Sequence, residues 1–294
     1  MGSDLRIRPE LLDGVRPIAV DGAKVARARE LTADLLQSLF EERICAIHIP
    51  GFFPRSVAAR AAKLLRESSR ITQWYVPQGR GKVVKSDMAY GIGHPLYREL
   101  RTSYFENAAS WMRTVRHAFL PHMSPMDRLR AELDELWAPG ALIPRNRKGQ
   151  SYFAGLVRVM SARTALGGLA RTEGSIHVDD PKRPALPKVF STNCYVSVPR
   201  SGGTLRIWNV APGKKTGAHP LYRLIARYAF HEGAQEAIAR ALPPPLVLNP
   251  LPGDLVIFDS ARPHAVTGIS RGMRINIQTF LWYTGKKAPL HIFS

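Results

Sequence analysis

Cysteine is nearly missing from this chain, with two residues in 294, Cys45 and Cys194. Both stand in apolar, strand-like runs, so a disulfide-stapled scaffold is excluded and two reduced, buried thiols are expected. Long apolar runs are missing as well. No stretch of about 18 apolar residues occurs, which leaves no candidate for a spanning helix. Residues 1–14 are polar and lack the apolar centre of a secretory signal. A cytoplasmic protein with no membrane partner is the expectation. Acidic residues are scarce, 23 against 42 Lys and Arg, for a formal charge of +19. The excess is spread along the chain instead of forming a tail. It suits an anionic small molecule, an acidic carrier protein or nucleic acid, and equally an Arg-rich composition inherited from a GC-rich genome. No basic-and-aromatic periodicity marks a base-stacking platform, which argues against nucleic acid. Repeats and low-complexity tracts are absent too.

What is present is an ordinary globular share of hydrophobic residues, 45%, enough for a sizeable core. Apolar spacing predicts a helix over 23–42, a strand over 43–49, a turn at Gly51-Phe52-Phe53-Pro54 and a helix over 56–68. Residues 74–93 are rich in Gly and charge, with Trp74, Tyr75 and Tyr90 among them, and read as a substrate-facing loop or lid. Helices follow over 95–118 and 124–137, the second with Ser124 as N-cap and Pro125 in its first turn. After a linker over 138–149, a strand over 152–160 carries Arg158, which either faces a pocket and binds a substrate carboxylate or turns to solvent. Strands over 190–198 and 204–210 are joined by a hairpin-type turn at 199–203. Asn193 and Tyr195 alternate with Thr192 and Cys194, so one pair faces inward. Residues 163–174 are a Gly-rich connection, 182–188 a Pro-rich excursion beside the substrate entrance, and 211–241 an insertion of one or two helices that caps the site. Further strands are expected at 246–248, 255–258, 265–268, 273–283 and 291–293. The division is a mixed helical N-terminal elaboration over 1–150 packed on a core over 151–294, as one structural unit.

Chemistry concentrates in Ser175-Ile176-His177-Val178-Asp179-Asp180. In an extended segment His177 and Asp179 point to the same face and can reach one metal ion. A third ligand must come from a different strand, and Pro263-His264 follows the turn-and-strand unit Leu251-Pro252-Gly253-Asp254-Leu255-Val256-Ile257-Phe258. Two imidazoles and one carboxylate form the facial triad that holds non-haem Fe(II) and leaves positions open. Ten residues after His264, Arg274 begins an alternating strand, and a guanidinium there can grip a dicarboxylate through paired hydrogen bonds. Arg271 is a rival for that role. The other seven histidines, His48 among them, read as surface or packing residues.

His-x-Asp, a distant His and an Arg ten residues beyond resemble the Fe(II)/2-oxoglutarate-dependent oxygenases. Gly51-Phe52-Phe53-Pro54-Arg55, Tyr90-Gly91, Ser201-Gly202-Gly203-Thr204-Leu205 and Leu251-Pro252-Gly253-Asp254-Leu255 occur in this order. That layout is similar to the aliphatic halogenases of indole-alkaloid biosynthesis and their hydroxylase relatives acting on N-acyl amino acids, from about Ile44 onward. In those halogenases a Gly replaces the carboxylate; here Asp179 fills the position, so the resemblance implies hydroxylation. It implies an α+β fold, a double-stranded β-helix (jelly-roll, cupin-like) core with helices on one outer face. It implies Fe(II) on His177, Asp179 and His264, 2-oxoglutarate on Arg274 with Asn193 and Asn276 beside it, and O2 as oxidant. Asn276 stands where the family places a Ser or Thr. The substrate would be a small, anionic amino acid, N-acyl amino acid or natural-product intermediate, met by Arg158, Tyr90 and Trp74. A carrier-bound or nucleotide substrate, and a non-catalytic cupin-type metal binder, remain the alternatives.

Overall fold

From Met273 to Tyr283 the side chains alternate between two faces. Ile275, Ile277, Leu281 and Tyr283 point to one side of the strand, and Arg274, Asn276 and Gln278 to the other. The computed structural model describes residues 15–17, 24–68, 71–78, 82–90, 98–161, 175–179, 187–212, 220–228 and 232–294. Its first half holds strands β1 (Val15–Pro17), β2 (Val25–Arg27), β3 (Ala46–Ile49), β4 (Ile71–Gln78), β5 (Lys82–Tyr90) and β6 (Ala141–Leu142). Helices α1 (Ala33–Phe40), α2 (Arg55–Arg66), α3 (Arg98–Phe119) and α4 (Pro125–Leu136) lie among them. The second half brings β7 (Leu156–Ser161), β8 (Lys188–Ser197), β9 (Ser201–Gly202), β10 (Leu205–Ile207) and β11 (Val210–Pro212). Helices α5 (Pro220–Tyr228) and α6 (Glu232–Ala241) follow. The chain closes with β12 (Leu246–Leu248), β13 (Leu255–Asp259), β14 (His264–Val266), β15 (Ile269–Arg271), β16 (Met273–Tyr283) and β17 (Leu290–Phe293).

A large, mostly antiparallel sheet runs in the order β2-β3-β13-β8-β16-β7-β5-β4, and a smaller one in the order β12-β10-β14. Successive core strands alternate between the sheets: β8, β13 and β16 belong to the large one, β10 and β14 to the small one. This alternation is the jelly-roll arrangement expected of the core. Leu205, Ile207 and Leu248 of the small sheet pack on Ala46, Tyr195, Val256 and Phe258 of the large one. The outer, apolar face of the large sheet is covered by α1 to α4, through Leu36, Leu39 and Phe40, Val57 and Leu65, Trp111 and Phe119, and Leu129 and Leu133. Full burial of each such side chain contributes about 1.5–3 kcal/mol. Phe40 marks the seam, stacked on Tyr283 at 4.5 Å between ring centroids and edge-on to Trp137 at 5.3 Å. Ser124 caps α4, accepting from Asp127 N at 3.2 Å, with Pro125 first in the helix. Cys45 and Cys194 are buried free thiols. No described helix is long and apolar enough to cross a membrane.

Several local expectations are corrected. The segment from Ala23 is not one helix. Residues 25–27 form β2, parallel to β3, and α1 starts only at Ala33 behind the Thr32 cap. The described residues of 74–93, 74–78 and 82–90, form strands and not an irregular loop. β4 and β5 are a hairpin at the margin of the large sheet, with β5 paired to β7. The turn at 199–203 does not join a hairpin either. β8 and β10 lie in different sheets, and Ser201–Gly202 pairs with β15. The connections over 163–174 and most of 182–188 fall outside the described residues.

Two motifs that are 200 residues apart in sequence lock together at the sheet's end. Asp254 accepts from Gly51 N at 2.9 Å, Leu251 N at 2.9 Å and His48 Nε2 at 2.8 Å. His48 is therefore a paired, buried residue, not a bystander. Phe53 N donates to Gly253 O at 3.0 Å. Gly253 takes φ +97°, and a Cβ there would sit 2.4 Å from Phe53 O, so this approach requires glycine. Burial opposes the charge on Asp254, but the His48 hydrogen bond and the two backbone donors prevail and hold its carboxyl below the usual range. A lowered folded pKa contributes stability above the unfolded value of about 3.9, and that stability is lost as pH falls through the folded value. Asp254→Ala should cost about 1–3 kcal/mol in urea unfolding at pH 7. The gap to wild type should narrow below about pH 4.

Candidate metal centre

The corner that presents His264 is held by buried polar groups. Arg262 is fully buried, with Nε 3.4 Å from Asp259 Oδ2, and it also donates to Asn209 Oδ1. Asp259 Oδ1 accepts from Ala261 N at 3.1 Å, and Ser260 Oγ donates to Val189 O at 3.0 Å. Trp208 N donates to Pro263 O at 2.9 Å. A buried ion pair adds little net stability but fixes one arrangement strongly, because breaking it strands a charge. His264 is the first residue of β14, facing Ile207 of β10.

His177 meets this corner directly. Its N donates to His264 O at 3.0 Å and its O accepts from His264 N at 2.9 Å, while Asp179 N donates to Ser260 O at 3.0 Å. His177 Nε2 lies 3.8 Å from Asp179 Oδ1, and His264 Nε2 lies 3.4 Å from Asp179 Oδ2. One donor atom from each of the three residues falls within 4.8 Å of the others, the one such His/Cys/Asp/Glu group among the described residues.

The donor set fits a divalent metal ion. Each Nδ1 is engaged with a backbone carbonyl, His177 with Ser175 O at 2.8 Å and His264 with Arg262 O at 2.9 Å. A proton on Nδ1 leaves the lone pair at Nε2, the arrangement outer partners impose on metal-bound histidines. Cis donors about 2.1 Å from a shared ion lie roughly 3 Å apart, slightly closer than the separations here. Burial first, then the facing His264, draw the His177 imidazole down to about 4 against the pull of Asp179. Its side chain keeps 36% of its surface open, so the neighbouring imidazole matters beside burial. At neutral pH the ring is uncharged and able to ligate. Burial raises the Asp179 carboxyl, but His264 and then His177 outweigh it and hold the group below the usual range.

Arg274 stands on the large sheet and reaches Tyr195 of the cluster packed between the two sheets. It is buried, donates from Nη2 to Tyr195 OH and from Nη1 to Met160 Sδ, both at 3.2 Å, and lies over the Tyr195 ring. Its Nε is buried without a partner, and no carboxylate pairs with it among the described residues. Its rival Arg271 is exposed on β15. Beyond Arg274 runs a polar row. Asn276 Nδ2 donates to Asn193 Oδ1 at 2.6 Å, Asn193 Nδ2 to Ser191 Oγ at 3.0 Å, Gln278 Nε2 to Ser191 Oγ at 3.3 Å, and Arg158 Nη1 to Gln278 Oε1 at 3.2 Å. Arg158 sits opposite Asn276 in the sheet, and its charge is felt at both His177 and Asp179. Asn193, Asn276, Gln278 and Arg158 thus form one hydrogen-bonded polar row, on the strands around Arg274. Trp74 lies at the bulge of β4, and Tyr90 ends β5. Their side chains are outside the described set.

Arg262, Asp259, Asn209 and Gln235 escaped the sequence reading. Only the acid-to-arginine spacing in Asp259-Ser260-Ala261-Arg262 offered a hint of the pair. Asp179→Ala removes the charged donor yet leaves both imidazole anchors in place. Its Co(II) affinity should fall by more than the roughly 10- to 100-fold typical of a lost outer partner.

No family model matches the sequence, and no characterised protein matches it by sequence. Solved structures do match. A novel N-substituted L-amino acid dioxygenase from Burkholderia ambifaria AMMD, in complex with alpha-ketoglutarate, superposes with a TM-score of 0.54 at 16% identity, over 89% of this chain and 91% of that one. A second crystal structure of such a dioxygenase from the same organism gives 0.54 at 17% identity, over 90% and 92%. The chain shares the fold of that dioxygenase along nearly its whole length.

Proposed function

We propose that the protein is an Fe(II)- and 2-oxoglutarate-dependent dioxygenase that hydroxylates an aliphatic C–H of a small, anionic molecule. The observation that carries this reading is Arg274, a buried guanidinium with no acid partner among the described residues. It stands on the large sheet, across from the small sheet that carries His264. It lies over Tyr195, which shares a buried cluster with Phe258, and His264 packs edge-on to Phe258 at 4.9 Å. An unpaired buried charge costs several kcal/mol, and a dicarboxylate reaching from the metal to Arg274 offsets that cost. Bound iron would supply the activation of O2, with one oxygen atom going to the substrate C–H and the other to succinate as CO2 leaves. The residues of this chain do the rest. Arg274 and Tyr195 OH would grip the far carboxylate, His177, Asp179 and His264 would hold the metal that takes the near end, and the enclosing sheets would exclude water.

Asn276 departs from the family pattern, and the polar row suggests how it serves. In one orientation of the two amides, Ser191 Oγ accepts two hydrogen bonds while Asn276 Oδ1 is buried without a donor. With both amides turned over, Ser191 donates to Asn193, Asn193 donates to Asn276, and the Asn276 NH2 is released beside Arg274. Such a reversal exchanges nearly isosteric atoms. In this reading Asn276 contributes a second donor to the cosubstrate carboxylate.

Arg158 supports an anionic substrate, since its charge reaches the metal ligands from the strand next to Arg274. A free or N-substituted amino acid is the class we favour, in keeping with the N-substituted L-amino acid dioxygenase that shares this fold. Asp179, where the related halogenases carry Gly, supports hydroxylation over halogenation. The test is succinate formation from 2-oxoglutarate with Fe(II) and air, screened across N-acyl and free amino acids and oligonucleotides. Carboxylated small molecules should stimulate turnover and oligonucleotides should not; the reverse order would overturn the substrate class. Arg274→Ala should raise the KM for 2-oxoglutarate about 10- to 100-fold, the loss of hydrogen bonds to a charged group. Arg158→Ala should act on the KM of the substrate instead.

A further inference from the structure

The insertion between β11 and β12 was expected to cap the site, but its helices do something more specific. Gln235 of α6, buried, accepts through Oε1 from Ile176 N at 2.7 Å. Tyr222 of α5, also buried, donates its hydroxyl to Ala261 O at 2.9 Å. Ile176 belongs to the His-x-Asp segment and Ala261 to the corner before His264. One insertion therefore tethers both metal-bearing segments, which are far apart in sequence.

The first tether acts on a particular peptide group. Ile176 N–H and Ser175 C=O are the two ends of one peptide unit. The nitrogen is held by Gln235, and the carbonyl receives His177 Nδ1. A bond at one end polarises and orients the other, so Gln235 acts on the His177 ring through the peptide between them. Packing reinforces the tether. Ile176 sits fully buried among Leu221, Ile225, Ile238 and Leu242 of the insertion and Trp208 and Ala265 of the small sheet. This cluster is separate from the two larger cores. Among the described residues, the insertion shares this cluster with Ile176 and Ala265 of the segments that carry the ligands, and with Trp208 and Val210.

We infer that α5 and α6 position the metal centre, with Gln235 and Tyr222 as positioning residues, so that filling the site and ordering these helices form one coupled event. The inference rests on the metal-binding reading above. The experiment is Co(II) titration of the full chain followed by its visible ligand-field spectrum, for wild type, Gln235→Met, Gln235→Glu and Tyr222→Phe. Hydrogen exchange of residues 220–228 and 232–241 is followed alongside, with and without Co(II).

Gln235→Met keeps the length of the side chain but cannot accept, and its Co(II) affinity should fall about 10- to 100-fold with an altered spectrum. Gln235→Glu keeps an acceptor and should restore both. Tyr222→Phe, which loses a single oxygen and serves equally if Gln235→Met fails to fold, should weaken binding in the same direction. In wild type, Co(II) should slow exchange in both helices. If wild type binds Co(II) but the helices exchange unchanged, or Gln235→Glu binds as weakly as Gln235→Met, the coupling is wrong while the metal centre stands. If wild type binds no Co(II), both readings fall together.

Discussion

Two backbone hydrogen bonds, from His177 N to His264 O and from His264 N to His177 O, bring together segments from distant parts of the chain. They fix the two peptides relative to each other before any side chain is considered. The Nδ1 atoms of both rings then turn back to carbonyls two residues upstream, which aims both Nε2 atoms at Asp179. An isolated backbone bridge is a weak element by itself. Here it is stiffened on one side by the Arg262–Asp259 pair and on the other by the packing of Ile176. The resulting cluster has two neutral-capable donors and one carboxylate at spacings that suit a single divalent ion.

The large sheet keeps its two faces chemically distinct. Outward, Ile275, Ile277 and Leu281 of β16 join the helical layer and contribute most of the burial. Inward, the same strand offers Arg274, Asn276 and Gln278 to a polar interior. A protein built for stability alone would fill that interior with apolar groups, since buried charge without a partner is costly. Arg274 retains that cost, with its Nε unpaired. Stability comes from one face and recognition from the other, and a single strand with period-two alternation serves both.

Much of this was legible in the sequence where a physical pattern was local. The His-x-Asp spacing, the strand carrying Arg274, the Ser124 cap and the separate turns at Gly51 and Gly253 each announce themselves by residue type and offset. Other features were not legible because their meaning is set by distant neighbours. The polar stretch read as a loop or lid is built as strands, whose β5 pairs with β7 far along the chain. Val25–Arg27 reads as helix by periodicity but is captured as a strand by pairing with β3. The hairpin expected at 199–203 failed because jelly-roll strands change sheets, which no dipeptide signals. His48 and Gln235 gave no cue at all; their partners, Asp254 and the Ile176 peptide, stand 206 and 59 residues away.

The central claim is that a guanidinium and a metal triad share one cosubstrate. Anaerobic absorption spectroscopy reads this directly, because an iron-bound 2-oxo acid gives a visible charge-transfer band that neither component gives alone. The account predicts a saturable band when Fe(II) and 2-oxoglutarate are added together to the wild-type protein. No band at saturating Fe(II) and 2-oxoglutarate would contradict it.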